Sequence, residues 1–204
     1  MIDTNKSTVI DLISTVDGID AAVKLFDEHV DGVDGDRVSR PGDGQKGPRK
    51  FFTEESIEMW LGVYDDAQLV AAVHAAPEWG YIDDVLPRIR AGEESADWLR
   101  SFCKECVQIH EIGVAPTVRG RGLGRLLLET VERKSLAHGV HFLNGFVDNR
   151  NGSAKFYARC DYIVGPLNEP LPPAVLNGMR IHHPDGLHGN WFFKPLGDVR
   201  PGRA

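Results

Sequence analysis

A mixed α/β fold is the class this sequence predicts. Short stretches that alternate apolar with polar residues are interleaved with stretches of helical period, and one such strand runs through a glycine-rich loop straight into a helix. With 204 residues, 42% hydrophobic and 26% charged, the chain suits one globular domain with a sizeable core.

Residues 8–13 read as a first strand, and residues 17–30 as a helix with Ile19, Ala22, Val23, Phe26 and Val30 on one face and Asp17 as N-cap. Residues 31–50 are Gly, Asp, Pro and Arg with almost no apolar side chains, the composition of a long mobile loop. Thr53-Glu54-Glu55-Ser56 opens a short helix with acids in its first turn. Residues 60–64 and 69–74 are strands flanking Asp65-Asp66-Ala67-Gln68, a hairpin signature. Residues 77–106 carry Trp79, Tyr81, Ile82, Val85, Leu86, Ile89, Trp98, Leu99 and Phe102 at the spacing of one or two helices.

The stretch 107–114 is a strand that Ala115-Pro116-Thr117 ends, and Leu123, Leu126, Leu127 and Val131 then recur at helical spacing until His138-Gly139 stops the run. Residues 140–147 form another strand, and Asn151 is an N-cap candidate for a short helix after it. Residues 163–196 supply two closing strands, 191–194 being the clearer, joined by a long loop rich in Pro, Gly and His. Residues 197–204 read as a frayed tail.

Between the strand and the helix lies Arg119-Gly120-Arg121-Gly122-Leu123-Gly124-Arg125. The first turn of a helix has N–H groups without helical partners and a partial positive charge, and glycines let an anion reach the backbone. Arg119, Arg121 and Arg125 add cationic donors, so the guest this loop suits is a phosphate or pyrophosphate. No Gly-Lys-Ser/Thr follows to place a hydroxyl on magnesium, and the glycines fall at first, third and fifth places, not the first, third and sixth of a dinucleotide fingerprint. NTP hydrolysis and nicotinamide binding are therefore disfavoured.

Arg119, Gly122 and Gly124, with Glu111-Ile112-Gly113-Val114-Ala115-Pro116 before them and residues 148–162 after, resemble the Gcn5-related N-acetyltransferase (GNAT) family over about a third of the chain. The resemblance implies a mostly antiparallel sheet of six to seven strands with splayed central strands and flanking helices. It implies acetyl-CoA as co-substrate, with pyrophosphate on the amides of Gly120 to Gly124 and the pantetheine arm along Ile112, Gly113 and Val114. The acetyl group would pass directly to a primary amine in a ternary complex. Family members cross 77–106 with fewer residues, which makes this insertion a lid, a homodimer surface, or helices that pack on the sheet.

By the same resemblance Tyr157 returns a proton to the departing thiolate, and Val114 N–H holds the oxyanion. An amine with pKa near 10 must lose a proton before or during attack, and Glu111 is the candidate base, with His110 the next. Aligning Tyr157 puts the family's asparagine on Arg150, one residue before Asn151, so either meets the cofactor. Asp161 stands where the family has glycine. A histidine of the 163–190 loop could reach the acceptor, and a non-catalytic CoA-binding sensor or interaction module of the same fold is the alternative function.

The net charge of −7 and pI of about 5.6 suit a small-molecule or peptide amine better than nucleic acid. Cys103-Lys104-Glu105-Cys106 with His110 lacks the second pair of a tetrahedral zinc site, so no metal is expected, and the cysteines read as reduced and half buried. No basic-then-apolar leader and no membrane-length apolar run is present, hence the expectation of a cytoplasmic protein with no membrane partner.

Overall fold

The structure, a computed structural model, describes residues 10–30, 40–41, 50–148, 152–170 and 188–197. The expected loop at 31–50 falls almost wholly outside these residues, as do Arg150, Asn151, His182, His183 and the tail. The chain runs β1 (Ile10–Leu12), α1 (Val16–His29), α2 (Lys50–Thr53), β2 (Met59–Asp65), β3 (Gln68–Ala76), α3 (Trp79–Arg90), α4 (Ala96–Glu105), β4 (Cys106–Val114), α5 (Leu123–Ala137), β5 (Phe142–Asp148), α6 (Ala154–Arg159), β6 (Ile163–Leu167) and β7 (Gly189–Pro195).

The strands form one seven-stranded sheet in the order β1-β2-β3-β4-β5-β7-β6, antiparallel except for β4 and β5. That parallel pair is short: it joins Cys106, Val107 and Gln108 to Phe142, Leu143 and Asn144 and goes no further, although both strands continue. The splay implied by the family resemblance is therefore present.

Period-two alternation gives the sheet two apolar faces. On one, α5 buries Leu123, Leu127, Leu128 and Val131 against Val73, Val107, Ile109 and Leu143. The other is shared: α1 packs Ile19, Ala22, Val23 and Phe26 over Trp60 and Ala72, while α3 and α4 pack Trp79, Ile82, Leu99 and Phe102 over Ala76, Phe142, Trp191 and Phe193. The 77–106 insertion thus packs on the sheet as half of one layer. Cys103 and Cys106 lie in that layer, fully buried and not half buried, and all three cysteines are free.

Local chemistry explains the boundaries. The cap of α1 is Thr15, whose hydroxyl accepts from Gly18 N–H at 3.2 Å, and not Asp17, which sits in the first turn. Thr53 ends a helix where one was expected to begin, because Phe52 is drawn into the α3/α4 layer and the Ser56 amide and hydroxyl both close onto Thr53 C=O. Helix α5 stops as foreseen: Gly139 has φ 79°, with Val140 N–H on Ser135 C=O and Gly139 N–H on Leu136 C=O.

The β2–β3 hairpin turns on Asp66 and Ala67, at φ 45° and 69°. Positive φ at both central residues is the demand of a type I′ turn, and a Cβ at Ala67 opposes it. Ala67→Gly is expected to stabilise the fold by about 1 kcal/mol, read as a higher urea midpoint with an unchanged slope.

Candidate active site

In β4 the alternation slips by one residue. His74 pairs with Glu111 but Ala75 with Ile109, so His110 is the extra residue of a bulge. Ile109 and Ile112 remain on the α5 face, and His110 and Glu111 come out together on the other. There a row crosses the sheet. Trp60 of β2 stacks on His74 of β3 at 4.1 Å, and His74 stacks on His110 at 5.0 Å. Trp79 of α3 follows at 6.4 Å from His110.

His74 has no exposed surface, and its Nδ1–H donates to Glu111 Oε2 at 2.9 Å. Its Nε2 lies 3.4 Å from Glu58 Oε1, close enough to feel the charge but outside hydrogen-bond geometry. Burial presses the imidazole toward neutrality, and the two carboxylates outweigh that and hold its pKa above the ordinary value of 6.5. His110 goes the other way: burial and the charge of His74 bring it down to about 4, and its Nε2–H donates to Pro77 C=O at 3.1 Å. A neutral imidazole of such low basicity is a poor proton acceptor. Glu58 and Trp60 also line a cavity of about 540 Å³ together with Ile13, Ile19, Thr53, Ser56 and Trp79.

His74 and Glu58 were not singled out in the sequence. A lone histidine inside Leu69-Val70-Ala71-Ala72-Val73-His74-Ala75-Ala76 was the available signal, since a buried imidazole requires partners.

Tyr157 approaches from the opposite face. It is buried on α6 and stacks on Phe192 of β7 at 3.6 Å between centroids. Burial raises its pKa, with the charges of Cys160 and Glu111 acting in the same sense, so its hydroxyl stays protonated. The end of α6 is fixed by Asp161 at φ 64°, with Tyr162 N–H on Tyr157 C=O and Asp161 N–H on Ala158 C=O. This is a Schellman end with aspartate in the glycine position, as the sequence allowed. The residue at the N-cap position of α6 is Ser153, whose side chain makes no capping bond, and Asn151 lies outside the described residues.

Where β4 and β5 part, the edge of β4 is open. Ala115 N–H donates to Val70 C=O on the β3 side, and alternation then turns the N–H groups of Ile112 and Val114 away from β3, toward the gap. Gly113 faces α1, where a Cβ would come within 3.0 Å of Phe26.

Beyond Val114 the loop leaves its backbone open. Gly120 and Gly122 sit at φ 78° and 80°, and a Cβ on either would meet only open space. Gly122 is the N-cap of α5 and supplies no capping side chain; the first helical bond is Leu126 N–H to Gly122 C=O. The amides of Leu123, Gly124 and Arg125 therefore have no partner within the helix. Gly124 serves packing, since a Cβ there would lie 3.0 Å from Phe156. Arg119 Nε donates to Val114 C=O at 3.0 Å and its NH2 to His29 C=O at 3.4 Å, tying the end of β4 to the end of α1. Arg121 reaches Thr117 C=O at 3.5 Å, and Arg125 reaches Arg159 C=O. These guanidinium groups brace the loop while keeping it cationic.

The sequence profile of the Acetyltransferase (GNAT) family matches residues 34–162, more than half of the chain. The chain belongs to the GNAT family. No curated protein matches it in sequence. Among solved structures, a GNAT-family acetyltransferase from Streptococcus pneumoniae is 14% identical, with TM-score 0.58 over 94% of this chain and 100% of its own. The protein yncA from Salmonella typhimurium, solved with its cofactor acetyl-CoA, is 14% identical, with TM-score 0.58 over 98% and 99%. The ribosomal-protein-S18-alanine N-acetyltransferase from Escherichia coli is 13% identical, with TM-score 0.52 over 97% and 99%. At these identities the likeness is one of fold. Among the described residues no helix is long and apolar enough to cross a membrane, and no group of three His, Cys, Asp or Glu side chains is placed to hold a metal ion.

The His74 pairing in this GNAT chain has a pH signature. Its folded pKa is raised, so the stability it contributes is complete below about 6.5 and is lost as pH rises through the higher folded value. His74→Asn is expected to cost more stability at pH 6 than at pH 9, measured by urea unfolding at both.

Proposed function

We propose that the protein transfers the acetyl group of acetyl-CoA to a primary amine by direct attack in a ternary complex. One observation carries this reading. Where β4 and β5 part, Glu111 lies on one face of the sheet and Tyr157, protonated, on the other, and the N–H groups of Ile112 and Val114 turn toward the gap.

Acetyl-CoA would supply the activated thioester. The loop Arg119, Gly120, Arg121, Gly122, Leu123, Gly124 and Arg125 would receive its pyrophosphate on free amides at the head of α5. Ile112 and Val114 offer N–H groups that an extended pantetheine arm can pair with, much as an added strand would. Val114 N–H is then the donor nearest the loop for the oxyanion. Glu111 takes a proton from the substrate ammonium, which frees the amine to attack, and Tyr157, kept protonated by burial, donates to the departing thiolate. Asn151 belongs with the cofactor contacts by family resemblance.

The acceptor is a small-molecule or peptide amine. The cavity beside Glu58 and Trp60 has the size for a small ligand, and the net charge of −7 favours a cation over nucleic acid.

Calorimetric titration of the purified, CoA-free protein with acetyl-CoA is expected to give saturable binding, abolished in Gly122→Asp, which crowds and repels a pyrophosphate. A folded wild type that fails to bind acetyl-CoA would remove the transferase reading. Tyr157→Phe is expected to lower kcat about 100-fold with acetyl-CoA affinity unchanged, measured as CoA thiol release with an accepted amine.

A further inference from the structure

The reading of Glu111 as base leaves one feature of the site unused. Its carboxylate faces a buried imidazole, and an imidazolium there would by itself weaken it as a base. His74 donates Nδ1–H to Glu111 Oε2 at 2.9 Å, and on its far side Nε2 faces Glu58 Oε1 at 3.4 Å, a contact that is not a hydrogen bond here and that tightens into one for a proton to cross. Glu58 Oε1 also accepts from Trp60 Nε1 at 3.2 Å and lies on the cavity wall. Among the described residues, the ionisable groups facing His74 are Glu58, just before β2, and Glu111 and His110 from β4. The three groups Glu58, His74 and Glu111 therefore form a line from the gap between β4 and β5 to the cavity.

We propose that Glu111, His74 and Glu58 act as one coupled proton acceptor, in which the proton that Glu111 takes from the amine is matched by a proton that His74 passes to Glu58. The inference rests on the transferase reading above. The bonds balance. An N–H bond of the ammonium breaks and an O–H bond forms on Glu111. His74 keeps its Nδ1–H, loses its Nε2–H, and Glu58 gains that proton and releases it into the cavity. The row carries a net charge of −1 before the transfer, 0 while Glu58 holds the proton and −1 again once Glu58 has released it, so no positive charge accumulates in a buried place. When product leaves, Glu111 gives up its proton through the emptied gap, and His74 recovers one through Glu58.

The physical reason is reciprocity. The two carboxylates beside the buried ring favour its charged form, and Glu111 stops being one of them the moment it is protonated. Ejecting the second proton removes the charge that would otherwise resist protonation of Glu111. His74 is the positioning and coupling residue, and Glu58 is the outlet.

The test begins without an acceptor. In E111Q the neutral amide mimics protonated Glu111, so the ¹⁵N signals of the His74 ring, assigned through H74N, should show the ring losing its second proton at a lower pH than in wild type. A His74 proton affinity that falls at least tenfold in E111Q, and also in E58Q, supports the coupling. A ring that keeps its wild-type titration in either variant overturns it, whatever reaction the protein catalyses. The second arm uses acetyl-CoA with ethanolamine, tyramine, spermidine and an alanyl tripeptide, following CoA release. With the best of these, E58Q and H74N should lose at least tenfold in kcat, keep acetyl-CoA affinity within twofold, and regain rate with added imidazole, while E58D stays near wild type. Wild-type kcat and pH profile in E58Q would overturn the proposal. Acetyl-CoA binding without release to any of the four amines would remove the transferase reading and this inference with it, even with the coupling intact.

Discussion

The pairing of β4 with β5 ends after Gln108 and Asn144, and the architecture of the site depends on that separation. A parallel ladder satisfies strand N–H and C=O groups in regular succession, so strands that part leave donors along an edge. Here the edge belongs to β4, and it runs straight into the loop that starts α5. The same polypeptide stretch thus presents strand amides, then glycines with open space around them, then the free amides of a helix N-terminus. Gly145 sits at the parting, where a Cβ would fall 2.9 Å from Ile109 C=O and 2.2 Å from Phe192, so the divergence is packed tightly at its vertex.

The second constraint is the bulge at His110. Without the extra residue, His110 and Glu111 would lie on opposite faces of the sheet. With it, both join the face that α1 covers from one side and α3 and α4 from the other, where His74 already lies between Trp60 and Glu111. The two helical layers meet over this row, and the 77–106 insertion is therefore part of the site's construction: Trp79 closes the stack, and Pro77 C=O fixes the tautomer of His110. Tyr157 is held across the sheet by an independent device, the aromatic stack on Phe192 and the Schellman end of α6.

Much of this was legible in the chain. The strand-loop-helix at residues 107–137, the hairpin on Asp66 and Ala67, and the left-handed Asp161 follow from local rules: period, turn chemistry and the conformational freedom of a few residue types. Where the reading erred, tertiary packing had overruled a local signal. Thr53 looked like a helix start because acids follow it, but Phe52 is anchored in a core that only α3 and α4 complete. Asp17 looked like a cap, yet Thr15 stands two residues earlier with its hydroxyl on Gly18 N–H.

By itself the sequence determined the fold class and the strand, glycine-rich loop and helix at its centre, and it named the candidate pair Glu111 and Tyr157, because each is written in short-range spacing or in a run of residue types. Only the tertiary structure decided what stands beside Glu111. His74 and Glu111 come from two strands and Glu58 from the entry to a third, and they are brought into line by the register of two antiparallel pairings and one bulge. Strand register is set by which face is buried, and that in turn depends on helices placed elsewhere in the chain. No local pattern encodes it.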